Sequence, residues 1–304
     1  VVPVAHGFMR QGLLKNNERT FRKLGVDIIK FTPNWHLVKR LMLESLVRKG
    51  DFCWHCHTGI YSYPMHLAIQ QQVPLIIWGE PSSEYTAYYD YRDDEIEEVD
   101  EEKFNRSTNL GITAEDMAGM ISDDFNFDPR DLKPFSYPPV RDLKKLGYRS
   151  VCLGSYIPWD VKKQVGIIQA ELGWKGDEVE GMPWSDYPYE KIECHLQGVR
   201  DYIKYLKRGY GRVTQMTALD LRNNRITQDK ARELIDNYEG RKPPSLMIFL
   251  EYLDITEDEF NAIVAKTVVP PHEPNFNAKF APKTSDFDEW YREPEGDRGI
   301  RRKI

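Results

Sequence analysis

Apolar positions along the first 80 residues switch between helical and strand spacing. Residues 17–24 have helical spacing, and Gly25 is placed to cap the end. Residues 26–31 form a β-branched run closed by Thr32-Pro33-Asn34, which predicts a strand. Residues 36–48 predict a helix burying Leu37, Leu41 and Leu43 to Leu46. A second helix is expected over 60–72. The unbroken apolar run 73–78 then has the pattern of a parallel strand buried on both faces. With Val1-Val2-Pro3-Val4 as a short strand fragment, strand and helix alternate. That order implies right-handed strand–helix–strand units, and hence an α/β domain of nucleotide-binding type: a parallel sheet flanked by helices.

Past Gly79-Glu80 the pattern changes. Residues 93–102 hold eight acids in ten positions and read as a solvated loop. Residues 128–139, rich in proline and aromatics, read as an ordered connection. A further strand is expected over 149–153, and a helix over 161–172 capped by Gly173. From residue 190 onward the chain reads as mostly helical, over about 190–208, 217–223, 228–238, 245–253 and 257–265. The last of these opens with a capping box, Thr256 at the N-cap and Glu259 three residues on. The tail beyond Pro270 lacks periodicity and is expected to wrap the surface or fray. No internal repeats occur.

The chain has 304 residues, 42 Lys plus Arg against 48 Asp plus Glu, and a net charge of −6. That acidic balance disfavours sequence-independent nucleic-acid binding, which rests on phosphate contacts. No apolar run approaches the length of a membrane span. Without a signal peptide, and with four cysteines that form no disulfide pattern, a cytoplasmic location is expected. Because the chain opens on Val1, its true N-terminus is expected to lie upstream.

Three places hold candidate chemistry. Cys53-Trp54-His55-Cys56-His57 packs four metal-competent side chains into five residues, a spacing that suits zinc or an iron–sulfur cluster. Cys194 and Cys152 are the remaining thiols that could complete such a site. The alternative is small core cysteines beside histidines lining a polar cleft. Glu80 ends an apolar strand, where open α/β sheets bind ligands, and can touch a ribose, a magnesium ion or a substrate, or cap the next turn. The densest basic–aromatic segment runs from Tyr202 to Arg212. There Lys204, Lys207 and Arg208 fall on neighbouring helical faces and Gly209 and Gly211 precede Arg212. These groups can neutralise phosphates, or form a solvated face.

Taken in order, several stretches resemble the N-acetyl sugar amidotransferase family, the WbpG type of bacterial surface-polysaccharide synthesis. They are residues 24–34, Gly50-Asp51 with 53–60, 74–80, 156–160, 201–212, 220–231 and 251–260. The resemblance implies a PP-loop ATP pyrophosphatase fold, Rossmann-like, over residues 1–175, with a helical substrate or partner region over 176–304. The family signature Ser-Gly-Gly-x-Asp-Ser is missing: Ala5-His6-Gly7 follows Val4 where the phosphate loop is expected. The family's N-terminal Cys-x-x-Cys is missing too, Arg200 stands where the family often has His, and Gln215 where it often has Asp.

The resemblance further implies adenylation of an acetamido oxygen by ATP with Mg2+, then attack by ammonia to give an acetamidino group. The substrate would be a nucleotide-linked acetamido sugar, and ammonia would come from glutaminase and ammonia-channel subunits (HisH/HisF-like). On this basis Glu80, Lys204, Lys207 and Arg212 are candidate catalytic residues. His55, His57, Tyr85, Trp159, Asp160 and Tyr210 are candidate substrate contacts, and Cys53, Cys56 and Cys194 candidate zinc ligands. Two other functions fit parts of the pattern: a PP-loop tRNA-thiolation enzyme with a cysteine-bound cluster, and a non-catalytic PP-loop-fold partner subunit.

Overall fold

The computed structural model describes residues 1–3, 7–79, 100–122, 125–157, 159–288 and 290. Helices dominate. In chain order they are α1 Gln11–Leu24, α2 Trp35–Lys49, α3 Trp54–Gln71, α4 Glu101–Lys103, α5 Ala114–Ile121, α6 Val140–Leu146 and α7 Val161–Leu172. Then come α8 Gln197–Arg208, α9 Arg212–Arg222, α10 Gln228–Tyr238, α11 Leu246–Leu253 and α12 Glu257–Ala265. Strands β1 Leu75–Trp78 and β2 Arg149–Cys152 pair in parallel, Leu75 opposite Arg149 and Trp78 opposite Cys152. The chain divides into two compact units. One comprises Val1–Val4, Ile28–Glu44 and Cys53–Gln164; the other Ala5–Asp27, Ser45–Phe52 and Val165–Ile304.

In the first unit, Leu37 and Leu41 of α2 pack with Trp54 of α3, Met117 and Ile121 of α5, Leu132 and Phe135. The Trp54 indole donates to Ile112 O at 2.9 Å, which anchors the first turn of α3. This helix therefore starts at Trp54 rather than near Ile60, and Cys56 and His57 lie in its first turn with Cys53 at the N-cap position.

The parallel pairing is as expected, but the described sheet has two strands. Residues 26–31 do not join it. They run extended beside the chain start, where Ile29 N donates to Val1 O at 3.0 Å and Phe31 N to Pro3 O at 3.1 Å. Nor is β1 buried on both faces. Leu75 and Ile77 are 48% and 60% exposed while Trp78 is buried, because no described element covers the face that Leu75 and Ile77 share.

The second unit is helical, with α8 packed against α11 and α12 and α9 against α10. Leu196, Val199, Ile203 and Leu206 are buried along one side of α8. Phe249 packs between Phe52, tilted at 4.6 Å between centroids, and Phe260, edge-to-face at 6.0 Å. Two helices begin elsewhere than expected: α8 only at Gln197, after a series of turns, and α9 already at Arg212. The described residues beyond Pro270 dock onto the unit, at one end of the expected range of wrapping or fraying. Lys242 N donates to Lys279 O at 2.9 Å, Ala281 N donates to Lys242 O at 2.8 Å, and Phe287 and Trp290 are buried.

Candidate functional site

The basic–aromatic segment ends α8 and begins α9. Gly209 closes α8 in the left-handed region (φ 77), and a side chain there would meet His272 Nδ1 at 2.8 Å. Gly211 is the N-cap of α9, and its missing Cβ makes room for Glu239 Oε1, which would lie 2.8 Å away. The bracketing glycines thus admit the protein's own side chains. Glu239 accepts from Gly211 N at 2.7 Å, from Thr214 N at 3.1 Å and from the Thr214 hydroxyl. A helix N-terminus is a natural seat for an external anion; here an internal carboxylate fills it.

Arg212 is 5% exposed. Its guanidinium donates to Glu190 at 3.1 Å and to Asp201 at 3.1 Å, and Glu190 is itself only 1% exposed. Gln197 Nε2 donates to Asp201 at 2.9 Å, which fixes the second carboxylate. An external phosphate would have to displace these partners to reach the arginine. A small cavity of about 30 Å³ borders Arg212, Asp201, Tyr202 and Glu180. It has room for a water molecule and none for a nucleotide.

Lys207 has turned away from the turn. Its ammonium donates to Lys49 O at 2.8 Å and Gly50 O at 3.3 Å, satisfying carbonyls at the end of α2. Lys204 stays near the surface end: its Nζ donates to Gln215 Oε1 at 3.2 Å and lies 5.3 Å from the centre of the Tyr210 ring. Burial, then the positive charge of Arg212, pushes the Lys204 amine down to about 8; Asp201 pulls it up, and Arg208 and Arg200 lower it further. Tyr210 is 40% exposed. The structure therefore brings Lys204, Arg212 and Tyr210 to one helical junction but leaves Lys207 on structural carbonyls.

The other candidates are spread. Glu80 and Tyr85 lie outside the described residues. His55 is buried within α3, and Cys53, Cys56 and His57 are half-buried at its start. Cys194 belongs to the other unit, where it bridges to Met9. Among the described residues no group of three or more His, Cys, Asp or Glu side chains is gathered to hold a metal ion. Asp160 accepts from Lys163 N at 3.3 Å, as a cap on α7 does, and Trp159 is half-buried beside it.

Sequence reasoning missed the carboxylates that engage Arg212. Glu190 and Asp201 sit 22 and 11 residues away, at no local spacing that marks them. It also missed two buried networks in the same unit. Arg10 joins Asp286 at 2.6 Å and Asp177 at 3.3 Å, with His195 Nδ1 4.0 Å from Asp286. Burial works against the charge of Asp286, yet the hydrogen bond and charge of Arg10 prevail and hold its carboxyl below the usual range. Glu180 accepts from Ser245 N at 2.9 Å and from the Ser245 hydroxyl, and burial pushes its carboxyl up to about 7 against those hydrogen bonds.

The stretch that carries this basic junction is similar to a family of known description. Residues 183–286 match the family model described as LPS biosynthesis protein WbpG-like, C-terminal domain. The match runs from before α8 to past α12 and supports a likeness to the WbpG type over those residues. No curated protein matches the chain. No helix among the described residues is long and apolar enough to cross a membrane.

Proposed function

We propose that the intact protein is an ATP-dependent amidotransferase acting on a nucleotide-linked acetamido sugar in surface-glycan synthesis. The supporting observation is that the WbpG-like match spans the whole Lys204–Arg212 junction. In this reading ATP transfers AMP to the acetamido oxygen and releases pyrophosphate. Ammonia then attacks the activated carbon and AMP leaves, so an acetamidino group replaces the acetamido group. An amide oxygen is a poor leaving group, and adenylation makes it a good one. Water must be excluded from the activated intermediate, which ammonia would reach from a glutaminase partner.

The first unit would carry a PP-loop-like α/β fold, with β1 and β2 as part of a larger parallel sheet. Its phosphate loop, absent from this sequence, would hold ATP with Mg2+, and Glu80 would contact nucleotide, metal or substrate. Cys53 and Cys56, three residues apart, would supply two thiolate ligands to a zinc ion. The reaction belongs to a cytoplasmic enzyme, since ATP and nucleotide sugars are its substrates. The test supplies the full-length protein with ATP, Mg2+, an ammonium salt and UDP-linked diacetamido sugars. Sugar-dependent AMP together with a product one mass unit lighter supports the reading. No sugar-dependent AMP from a chain that carries its phosphate loop refutes it.

A further inference from the structure

The sequence offers the four cations of the junction, Lys204, Lys207, Arg208 and Arg212, as equals for an anion; the structure separates them. Arg212 is committed to Glu190 and Asp201, and Lys207 to the carbonyls of residues 49 and 50. The N-terminus of α9 is filled by Glu239. Lys204 differs. No described carboxylate comes within ion-pair distance of its ammonium, and Asp201 acts on it only at longer range. Arg208, one turn further along α8, is exposed and makes no ion pair among the described residues. The two side chains emerge on one face of the helix, about 6 Å apart along its axis.

We infer that the diphosphate of the nucleotide-linked sugar binds on this face, to Lys204 and Arg208, with Tyr210 and Gln215 beside it, and that neither Arg212 nor Lys207 contacts it. The inference rests on the proposed function for the identity of the sugar substrate, but not for the anion site. A diphosphate brings at least two negative charges to two cations that no described carboxylate meets. Arg208 supplies a planar fork for phosphate oxygens, and Lys204 a point charge. The ring of Tyr210, already against the Lys204 ammonium, offers a flat face on which a sugar or base can pack.

The groups that act on Lys204 are Arg200, Asp201 and Arg208 on α8 and Arg212 on α9, with Gln215 and Tyr210 in contact. Burial first, and then the three cations among the four charged groups, make the amine lose its proton at lower pH than an ordinary lysine. Anion binding adds negative charge and restores the proton. Affinity for a diphosphate should therefore fall as pH rises through about 8 in the free protein.

The experiment is calorimetric titration of the full-length protein with inorganic pyrophosphate, UDP-N-acetylglucosamine and glucuronate. Lys204→Gln and Arg208→Gln should each weaken pyrophosphate binding about tenfold or more, and Lys207→Gln should not. Arg208 is exposed, so its variant keeps the test valid if Lys204→Gln fails to fold. Wild-type affinity for pyrophosphate in the Arg208→Gln protein overturns the site. So does glucuronate binding as tightly as pyrophosphate, which would mark a carboxylate site. Pyrophosphate binding that depends on Lys204 and Arg208 without sugar amidination leaves the site standing and removes the proposed function. Amidination with unchanged substrate affinity in both variants does the reverse.

Discussion

Replacing Arg212 by alanine separates a structural arginine from a substrate clamp. In the folded protein its guanidinium neutralises Glu190, 1% exposed, and Asp201, both at 3.1 Å. The substitution leaves at least one buried carboxylate facing a small cavity without its cation. Removing one partner of a buried pair costs about 3–5 kcal/mol, because the remaining charge keeps its desolvation penalty. For a chain of this size that corresponds to a loss in melting temperature on the order of 10 °C. A substrate clamp predicts something else: roughly ten- to hundredfold weaker anion binding with little change in stability. Urea and thermal unfolding, followed by circular dichroism, read the first quantity directly. The double variant Arg212→Met with Glu190→Gln should be less damaged than Arg212→Met alone, since the more buried of the two uncompensated carboxylates is gone. An Arg212→Ala protein with wild-type unfolding and weakened anion binding would refute this assignment.

Three further outcomes follow from the same unit. Glu180, pushed up to about 7 by burial, holds its proton more tightly folded than unfolded, so its contribution is greatest below pH 4.5 and is lost as pH rises through about 7. Wild-type unfolding free energy should fall by up to about 3 kcal/mol from this group across that window, and Glu180→Gln should flatten the slope. Arg10→Ala removes the cation that joins Asp286 and Asp177, so limited proteolysis should cut the 281–290 region faster than in wild type. Thr256→Ala breaks the capping box at α12, where the Thr256 hydroxyl accepts from Glu259 N at 3.2 Å, and should cost about 1 kcal/mol in urea unfolding.

What could be read from the sequence was local. Gly25 caps α1 in the left-handed region, and the Thr256–Glu259 box opens α12, because both signals act within four residues. The apolar spacing of α2 placed Leu37 and Leu41 in a core, where they are. The parallel pairing of β1 and β2 follows the strand–helix order. The β-branched run at 26–31 looked the same in sequence but did not become a sheet strand: two hydrogen bonds to the chain start satisfy it instead. In α1 the buried Asn16 is fixed by Lys175, 159 residues away, a contact that no local spacing marks.

The junction shows the same division more sharply. The cations, the glycines and Tyr210 are contiguous in sequence and were read as one anion-binding candidate. Their partners are not contiguous. Glu190 turns Arg212 inward, Glu239 closes the start of α9, and the end of α2 takes Lys207. A lysine or arginine carries the same charge whether it faces a ligand or a carboxylate of its own chain. Only the tertiary arrangement distinguishes the two, which is why the segment's composition offers all four cations and the structure separates Lys204 and Arg208 from the others.

The central claim is the proposal that this protein replaces an acetamido oxygen with nitrogen. The most direct measurement supplies 15N-ammonium to the full-length chain with its phosphate loop, ATP, Mg2+ and a UDP-linked diacetamido sugar, and reads the product by mass spectrometry and 15N NMR. The account predicts one 15N atom per sugar, in an amidine, with AMP formed in equal amount. AMP accumulating with the label absent from the sugar would contradict it.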